Sequence, residues 1–230
     1  MTVAEQIIEY ATLHASFGVD DLMSEYGSVN RTTLLCMLSR LVGDGELVRK
    51  MRGVYSKCSG SSLFRVVLKE QERAISGLIR KELPLISYCL YNGETLAPLQ
   101  HHVFQNNATY LEVERDAVET VFHICKDKGF ESYKSPKMEM TRDYIDLSKA
   151  VVIVKPLVTE SPLTQNDGIM VPTLEKLLVD LCKDKDFYFL QGVEENYILE
   201  NARTLFDINE SRLKRYAKRR NIDPRNFELQ

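Results

Sequence analysis

The feature that most constrains this chain is the order of signals between residues 17 and 57. Residues 19–26 read as a short helix, with Asp20 at a capping position and Leu22 and Met23 turned inward. Gly27 and Ser28 break it. Asn30 then caps a longer helix, residues 31–42, which Gly43-Asp44-Gly45 closes. Leu34, Met37, Leu38, Leu41 and Val42 recur at helical spacing and make one apolar stripe. Residues 46–50 and 53–57 read as two short strands joined at Met51-Arg52. Helix, turn, helix and two-stranded hairpin is the order of a winged helix-turn-helix.

The chemistry of this segment points to double-stranded DNA. The face opposite the apolar stripe carries Arg31, Thr32, Leu35, Cys36 and Ser39. A helix start offers unpaired N–H groups to a phosphate. Asn30, Arg31 and Thr32 stand there with donors short enough for phosphate or base edges in the major groove. Arg49, Lys50 and Arg52 lie within four positions on the wing and fit backbone clamping. The candidate DNA-binding residues are therefore Ser28, Asn30, Arg31, Thr32, Ser39, Arg49, Lys50 and Arg52. Winged helices also serve as protein–protein modules. Residues 1–62 hold six basic and seven acidic side chains, so affinity from this segment alone is expected to be modest.

Over the whole chain, 230 residues with 44% hydrophobic content can bury one or two cores. A net charge of −3 excludes an overall basic coat, so any DNA contact must come from a local patch. The five cysteines (Cys36, Cys58, Cys89, Cys125 and Cys182) are odd in number, scattered and without a CxxC pair. That pattern argues against a disulfide framework and a thiolate zinc site. The N-terminus has no signal-peptide pattern, and no stretch approaches the ~20 apolar residues of a membrane span. The expectation is a cytoplasmic protein without membrane contact.

Lys57-Cys58-Ser59-Gly60-Ser61-Ser62 reads as a linker, dividing a domain of residues 1–60 from one of residues 63–230. Beyond it, residues 67–81 are helical in pattern. Residues 85–91 form a β-like run closed by Asn92-Gly93. Tyr110, Leu111 and Val113 mark a second strand. A helix carrying Val118, Val121, Phe122 and Cys125 follows, with Asp116 as its cap and Gly129 at its end. Residues 130–133 are a third strand. Residues 150–158 are a β-branched run suited to the middle of a sheet, followed by an exit loop marked by Pro156 and Pro162. Residues 173–183, 193–206 and 210–221 are helical, the last capped by Asn209. The expected class is α+β: an N-terminal winged helix, then an α/β domain with a central mixed sheet and C-terminal helices.

Catalytic and metal motifs are weak. His101-His102, His123 and Cys125 lack ligand spacing, so no metal and no cofactor are expected. Glu112, Glu114, Glu131 and Lys134 could suggest metal-dependent phosphodiester cleavage, but their spacing does not fit, and they read as solvated charges at strand ends. Glu175 and Asp180 lie on an otherwise apolar helix and suggest a buried hydrogen-bonded acid. Arg212, Lys214, Arg215, Lys218, Arg219 and Arg220 crowd the last helix, whose Leu213, Tyr216 and Ala217 form a docking stripe. These cations are a candidate second surface for DNA or a partner, or a solvated helix end.

Several segments resemble the AbiEi-like family of antitoxins and transcriptional regulators. They are Ser28-Val29-Asn30-Arg31-Thr32-Thr33-Leu34-Leu35, Leu38-Ser39-Arg40-Leu41, Gly45-Glu46-Leu47 and Gly53-Val54-Tyr55-Ser56. Residues 171–180 (VPTLEKLLVD) and 208–220 (INESRLKRYAKRR) are similar to the C-terminal domain of the same group. The resemblance implies a non-enzymatic autorepressor that binds its own operator and acts as antitoxin of a type IV toxin-antitoxin system. Its implied partner is a nucleotidyltransferase-like toxin encoded nearby. The competing expectations are a regulator without a toxin, whose C-terminal domain binds a ligand or dimerises, and a nuclease-like enzyme with a winged-helix targeting domain.

Overall fold

The computed structural model describes residues 2–27, 29–44, 46–51, 53–57 and 63–227. The chain divides into two compact units: Met1–Phe64 with Ala202–Arg215, and Arg65–Asn201 with Tyr216–Gln230.

In the first unit, Thr2 starts helix α1 (Val3–Leu13) with a reciprocal cap. The Thr2 hydroxyl accepts from the Glu5 N–H while the Glu5 carboxylate accepts from the Thr2 N–H. Ile7 and Ala11, one turn apart, face inward. A two-residue strand β1 (Phe17–Gly18) leads into α2 (Val19–Glu25), and a short turn leads to α3 (Arg31–Gly43). The hairpin β2 (Leu47–Met51) and β3 (Val54–Lys57) closes the unit, and the antiparallel sheet runs β1-β3-β2. Gly53, with φ +80°, takes the left-handed conformation the hairpin needs. The core gathers Ile7, Phe17, Leu22, Leu34, Leu38, Leu41, Leu47 and Tyr55. Asn30 caps α3 as expected, its Oδ1 accepting from the Thr32 N–H at 2.8 Å. Asp20 does not cap α2. Gly18 occupies that position, and the Asp21 carboxylate accepts its N–H at 2.6 Å.

The second unit is built on a mixed four-stranded sheet. Helix α4 (Glu70–Glu82) precedes β4 (Tyr88–Asn92) and β5 (Thr109–Val113); α5 (Val118–Asp127), β6 (Ser132–Lys134), α6 (Met138–Tyr144) and β7 (Val152–Pro156) follow. The order is β4-β5-β7-β6, with β4 antiparallel to β5 and the other three parallel. Strand β7 sits inside the sheet with residues 152–155 buried, which is why its sequence is almost continuously β-branched. A hairpin of β8 (Leu163–Asn166) and β9 (Ile169–Pro172) comes next, β9 lying beside β4. Helix α7 (Leu174–Lys183), capped by the Thr173 hydroxyl, then crosses the sheet.

Alternation along the strands sorts the two faces. Helix α4 covers one: Ser76 bonds the Tyr88 hydroxyl at 2.9 Å, and Glu72 accepts from the Thr109 hydroxyl. The other face presents Cys89, Tyr91, Tyr110, Glu112 and Lys155 to α7. Two C-terminal helices, α8 (Val193–Leu205) and α9 (Glu210–Arg219), complete the chain, and the division between units falls within each. Asn209 caps α9 as expected, its Oδ1 accepting from the Arg212 N–H at 3.0 Å.

Two local expectations differ from the structure. Asn92-Gly93 is not a tight turn: Asn92 caps a 3₁₀ segment, Gly93–Leu99, accepting from the Glu94 N–H at 3.1 Å. A Cβ at Gly93 would lie 2.1 Å from the Asn106 side chain, so glycine is required there for close approach. The stretch after β7 is not only an exit loop, because it leads at once into the β8–β9 hairpin, turned by Asp167 and Gly168 at positive φ. Among the described residues, no helix is long and apolar enough to cross a membrane.

Candidate functional site

Helix α3 separates two jobs by face. Leu34, Leu38 and Leu41 are buried in the core, while Thr32, Leu35, Cys36, Ser39 and Arg40 are exposed. The exposed stripe Thr32–Cys36–Ser39–Gly43 is made of small side chains, with the exposed Leu35 beside it. Asn30 and Arg31 stand exposed at its N-terminal end. Asn30 already uses its Oδ1 in the cap. The Arg31 guanidinium is bonded to Asp20 and lies 3.4 Å from the Met23 sulfur. Both partners of that ion pair are largely exposed, so the pair is worth only about 0–1 kcal/mol and yields readily to a phosphate.

On β2, Arg49 is half-buried opposite Tyr55, its guanidinium carbon 6.0 Å from the ring centroid. Its position is fixed by that ring and by the strand. Ser28, Arg52 and the side chain of Lys50 lie outside the described residues.

The six cations near the end of the chain divide between the two units. Arg212, Lys214 and Arg215 belong to the first unit, and Lys218, Arg219 and Arg220 to the second. Arg215 and Lys218 are exposed; Arg212 and Lys214 are half-buried. Arg219 bonds the Thr159 hydroxyl. Arg220 turns inward to Asp180, at 3.2 Å, and to Asp184, and its side chain keeps 13% of its exposure. Tyr216 and Ala217 are buried, as the docking stripe requires.

Arg220 is the outermost member of a buried ionic cluster. Neighbouring strands bring Glu112 of β5 beside Lys155 of β7, 3.6 Å apart. Lys176 of α7 reaches Glu112 at 2.8 Å and Asp180, one turn on, at 2.6 Å. Lys155 continues to Asp186 at 2.7 Å and Asp184 at 3.4 Å. The hydroxyls of Tyr91 and Tyr216 donate to Glu112 and Asp180 at 3.1 and 3.0 Å. Lys176 has no exposed side-chain surface, and Glu112 and Asp180 have 2% each.

Burial alone would drive these groups neutral. It pushes Glu112 up, but Lys176 and Lys155 outweigh it and hold the carboxyl below its usual range. Asp184 is likewise lowered: Lys155 and Arg220 overcome its burial. Burial pushes Asp180 up, with Glu112 and Asp184 adding repulsion. Against the same desolvation, the surrounding carboxylates hold both lysines well above their ordinary value. The arrangement is a tie: it fixes α7 and the end of α9 to β5 and β7 through charge pairs that are fully buried at Lys176, Glu112 and Asp180 and partly exposed toward Arg220 and Asp184.

Sequence reasoning missed this cluster because each charge was judged on its own element. Glu112 is not a solvated charge at a strand end; it lies in the interior. Glu114 accepts from the Ser87 N–H at 2.9 Å, Glu131 from the Tyr133 hydroxyl at 2.7 Å, and Lys134 pairs with Glu119. The four residues considered for phosphodiester chemistry therefore go to four different environments. His101 stacks on Tyr197, His123 bonds Glu119, and Cys125 is buried. Among the described residues, no three His, Cys, Asp or Glu side chains gather at metal-binding spacing. The expected buried acid at Asp180 is present, and Glu175 is buried as well.

Residues 33–227 match the model of a family described as a family of unknown function, DUF6577. The chain belongs to that family. No curated protein matches it. The family span begins at Thr33, inside α3, and includes Glu112, Lys155, Lys176, Asp180 and Arg220. Ser28, Asn30, Arg31 and Thr32 precede it; Ser39, Arg49, Lys50 and Arg52 fall within it. The ionic cluster thus lies wholly in the part of the chain that the family covers.

Proposed function

We propose that the first unit is a winged helix-turn-helix and that this DUF6577 protein is a DNA-binding transcriptional regulator. In this reading α2, the turn and α3 form the helix-turn-helix, and β2–β3 is the wing. The observation that carries it is the division of α3: one face fills the core, and the opposite face is left exposed with Thr32, Leu35, Cys36 and Ser39, led at its N-terminal end by Asn30 and Arg31. A helix entering the major groove needs such a face, with short donors at its N-terminal end. Ser39 belongs to that face, and Ser28 just before the helix is a candidate on its sequence position alone. Arg49, Lys50 and Arg52 supply the phosphate contacts of the wing. Arg215 of α9, an exposed cation of the same unit, would add to them.

The resemblance to AbiEi-like proteins extends the proposal to autorepression of the chain's own operon and to an antitoxin role against a nucleotidyltransferase-like toxin. A gel shift on the DNA upstream of the gene tests the first part. Salt-dependent retardation is expected, weakened by Arg31→Ala and by Arg52→Ala; no retardation at low salt overturns it. Co-expression with a neighbouring nucleotidyltransferase-type gene tests the second. Growth rescued by this chain supports the antitoxin role, and no rescue rejects it.

A further inference from the structure

The second unit contains a crevice of about 710 Å³ at the carboxyl ends of β5 and β7. Its place follows from the topology. After β5 the chain leaves through α5 toward β6, on one side of the sheet; after β7 it leaves for β8 and β9, which lie by β4 on the other side. The connections of these two adjacent parallel strands run in opposite directions along the sheet, and the carboxyl ends of strands at such a reversal are where open α/β sheets bind ligands. The volume is that of a small-molecule site.

We propose that this crevice binds a small organic phosphate. Its donors come from three segments: Arg115 after β5, Thr159 after β7 and Arg219 at the end of α9. Arg115 is exposed, and its side chain has no hydrogen-bond or ion-pair partner among the described residues; only its carbonyl is used, by the Val118 N–H. The Arg219 guanidinium donates to Thr159 Oγ1 at 3.1 Å, which leaves the Thr159 hydroxyl hydrogen for a ligand. Donors converging from several directions suit a tetrahedral phosphate with three oxygens, whereas a planar carboxylate is met by one guanidinium fork. The rim carboxylates are already engaged or loosely held: Glu114 accepts from the Ser87 N–H, and Glu160 lies 3.9 Å from Arg219 with 70% of its side chain exposed. Glu160 also sits at φ +62°, a strained conformation for a residue with a Cβ and of the kind that marks binding loops. Pro156, Leu157 and Val158 line the crevice and give an organic body an apolar wall. The paired Arg220 forms its floor, tied to Asp180 and Asp184 of the ionic cluster.

This site does not depend on the DNA-binding reading. Calorimetric titration of the full chain with phenyl phosphate tests it, with phenol and benzoate as neutral and planar-anion controls of the same body. Saturable binding of phenyl phosphate is expected, at least about tenfold tighter than either control. The Arg115→Ala/Arg219→Ala variant, checked for an unchanged circular dichroism spectrum and melting midpoint, should bind at least about tenfold more weakly. The exposed Arg115→Ala single variant supplies the same comparison if the double variant is unstable. No saturable binding of phenyl phosphate, equal binding of benzoate, or an unchanged affinity in the variants overturns the proposal.

Discussion

Replacing Lys176 by Met removes one cation and leaves two acids behind. Lys176 bonds both Glu112 and Asp180, and none of the three keeps more than 2% of its side-chain exposure. Removing one partner of a buried ion pair costs about 3–5 kcal/mol, because the remaining charge stays desolvated. For a chain of this length that is a fall of about 6–20 °C in melting midpoint, at about 2–4 °C per kcal/mol. The pH dependence should change with it. In the wild type Glu112 and Asp184 sit below their ordinary values of 4.5 and 3.8, so their stabilisation is present above those values and lost as pH falls below them. In Lys176→Met, Glu112 loses its stronger cationic neighbour and burial prevails, raising its pKa above 4.5. Its contribution then reverses: lowering the pH from about 8 toward about 5 should recover part of the lost stability. Urea denaturation followed by near-ultraviolet circular dichroism measures this, since the chain has no Trp and the stacked rings of Tyr91 and Tyr110 stand beside the cluster. A loss below about 1 kcal/mol, or the same loss at both pH values, would mean that Lys176 does not hold Glu112 charged in the interior.

Other positions test separate parts of the structure. Gly93→Ala should destabilise by about 1–3 kcal/mol in chemical denaturation, because its Cβ meets Asn106, which is buried and bonded to the Tyr110 hydroxyl at 3.1 Å. Asn30→Ala removes the α3 cap and should cost about 1 kcal/mol in the same assay, with Asn30→Asp close to wild type. Asp20→Ala releases Arg31 and should change stability by less than about 1 kcal/mol; in a DNA gel shift it should bind at least as well as wild type.

What the chain revealed before its structure depended on how local each signal was. Helix α3 was legible from the sequence, because Asn30 caps it, Leu34, Leu38 and Leu41 repeat on one face, and it ends at Gly43 with Asp44 as its C-cap. Strand β7 was legible because a β-branched run buried on both faces has few alternatives. The β8–β9 hairpin was missed although Asp167-Gly168 is a recognised hairpin turn, because the short flanking strands alternate weakly and Pro162 suggested a loop. The ionic cluster left no local mark. Glu112, Lys155, Lys176 and Arg220 are spread over more than one hundred positions, and only strand register and the placement of α7 bring them together. Lys176 among the leucines of residues 174–181 was the available hint, since a lysine on the buried face of a helix needs an acid beside it.

If α3 and the hairpin hold DNA, the affinity must depend on salt. Fluorescence anisotropy on a labelled duplex from upstream of the gene gives the slope of log K against log salt. The account predicts a linear fall in affinity with salt, a slope smaller by about 1 in Arg52→Ala and again in Lys50→Ala, and weaker binding in Thr32→Asp at every salt concentration. Absence of binding at low salt, or slopes and affinities that these three substitutions leave unchanged, would contradict it.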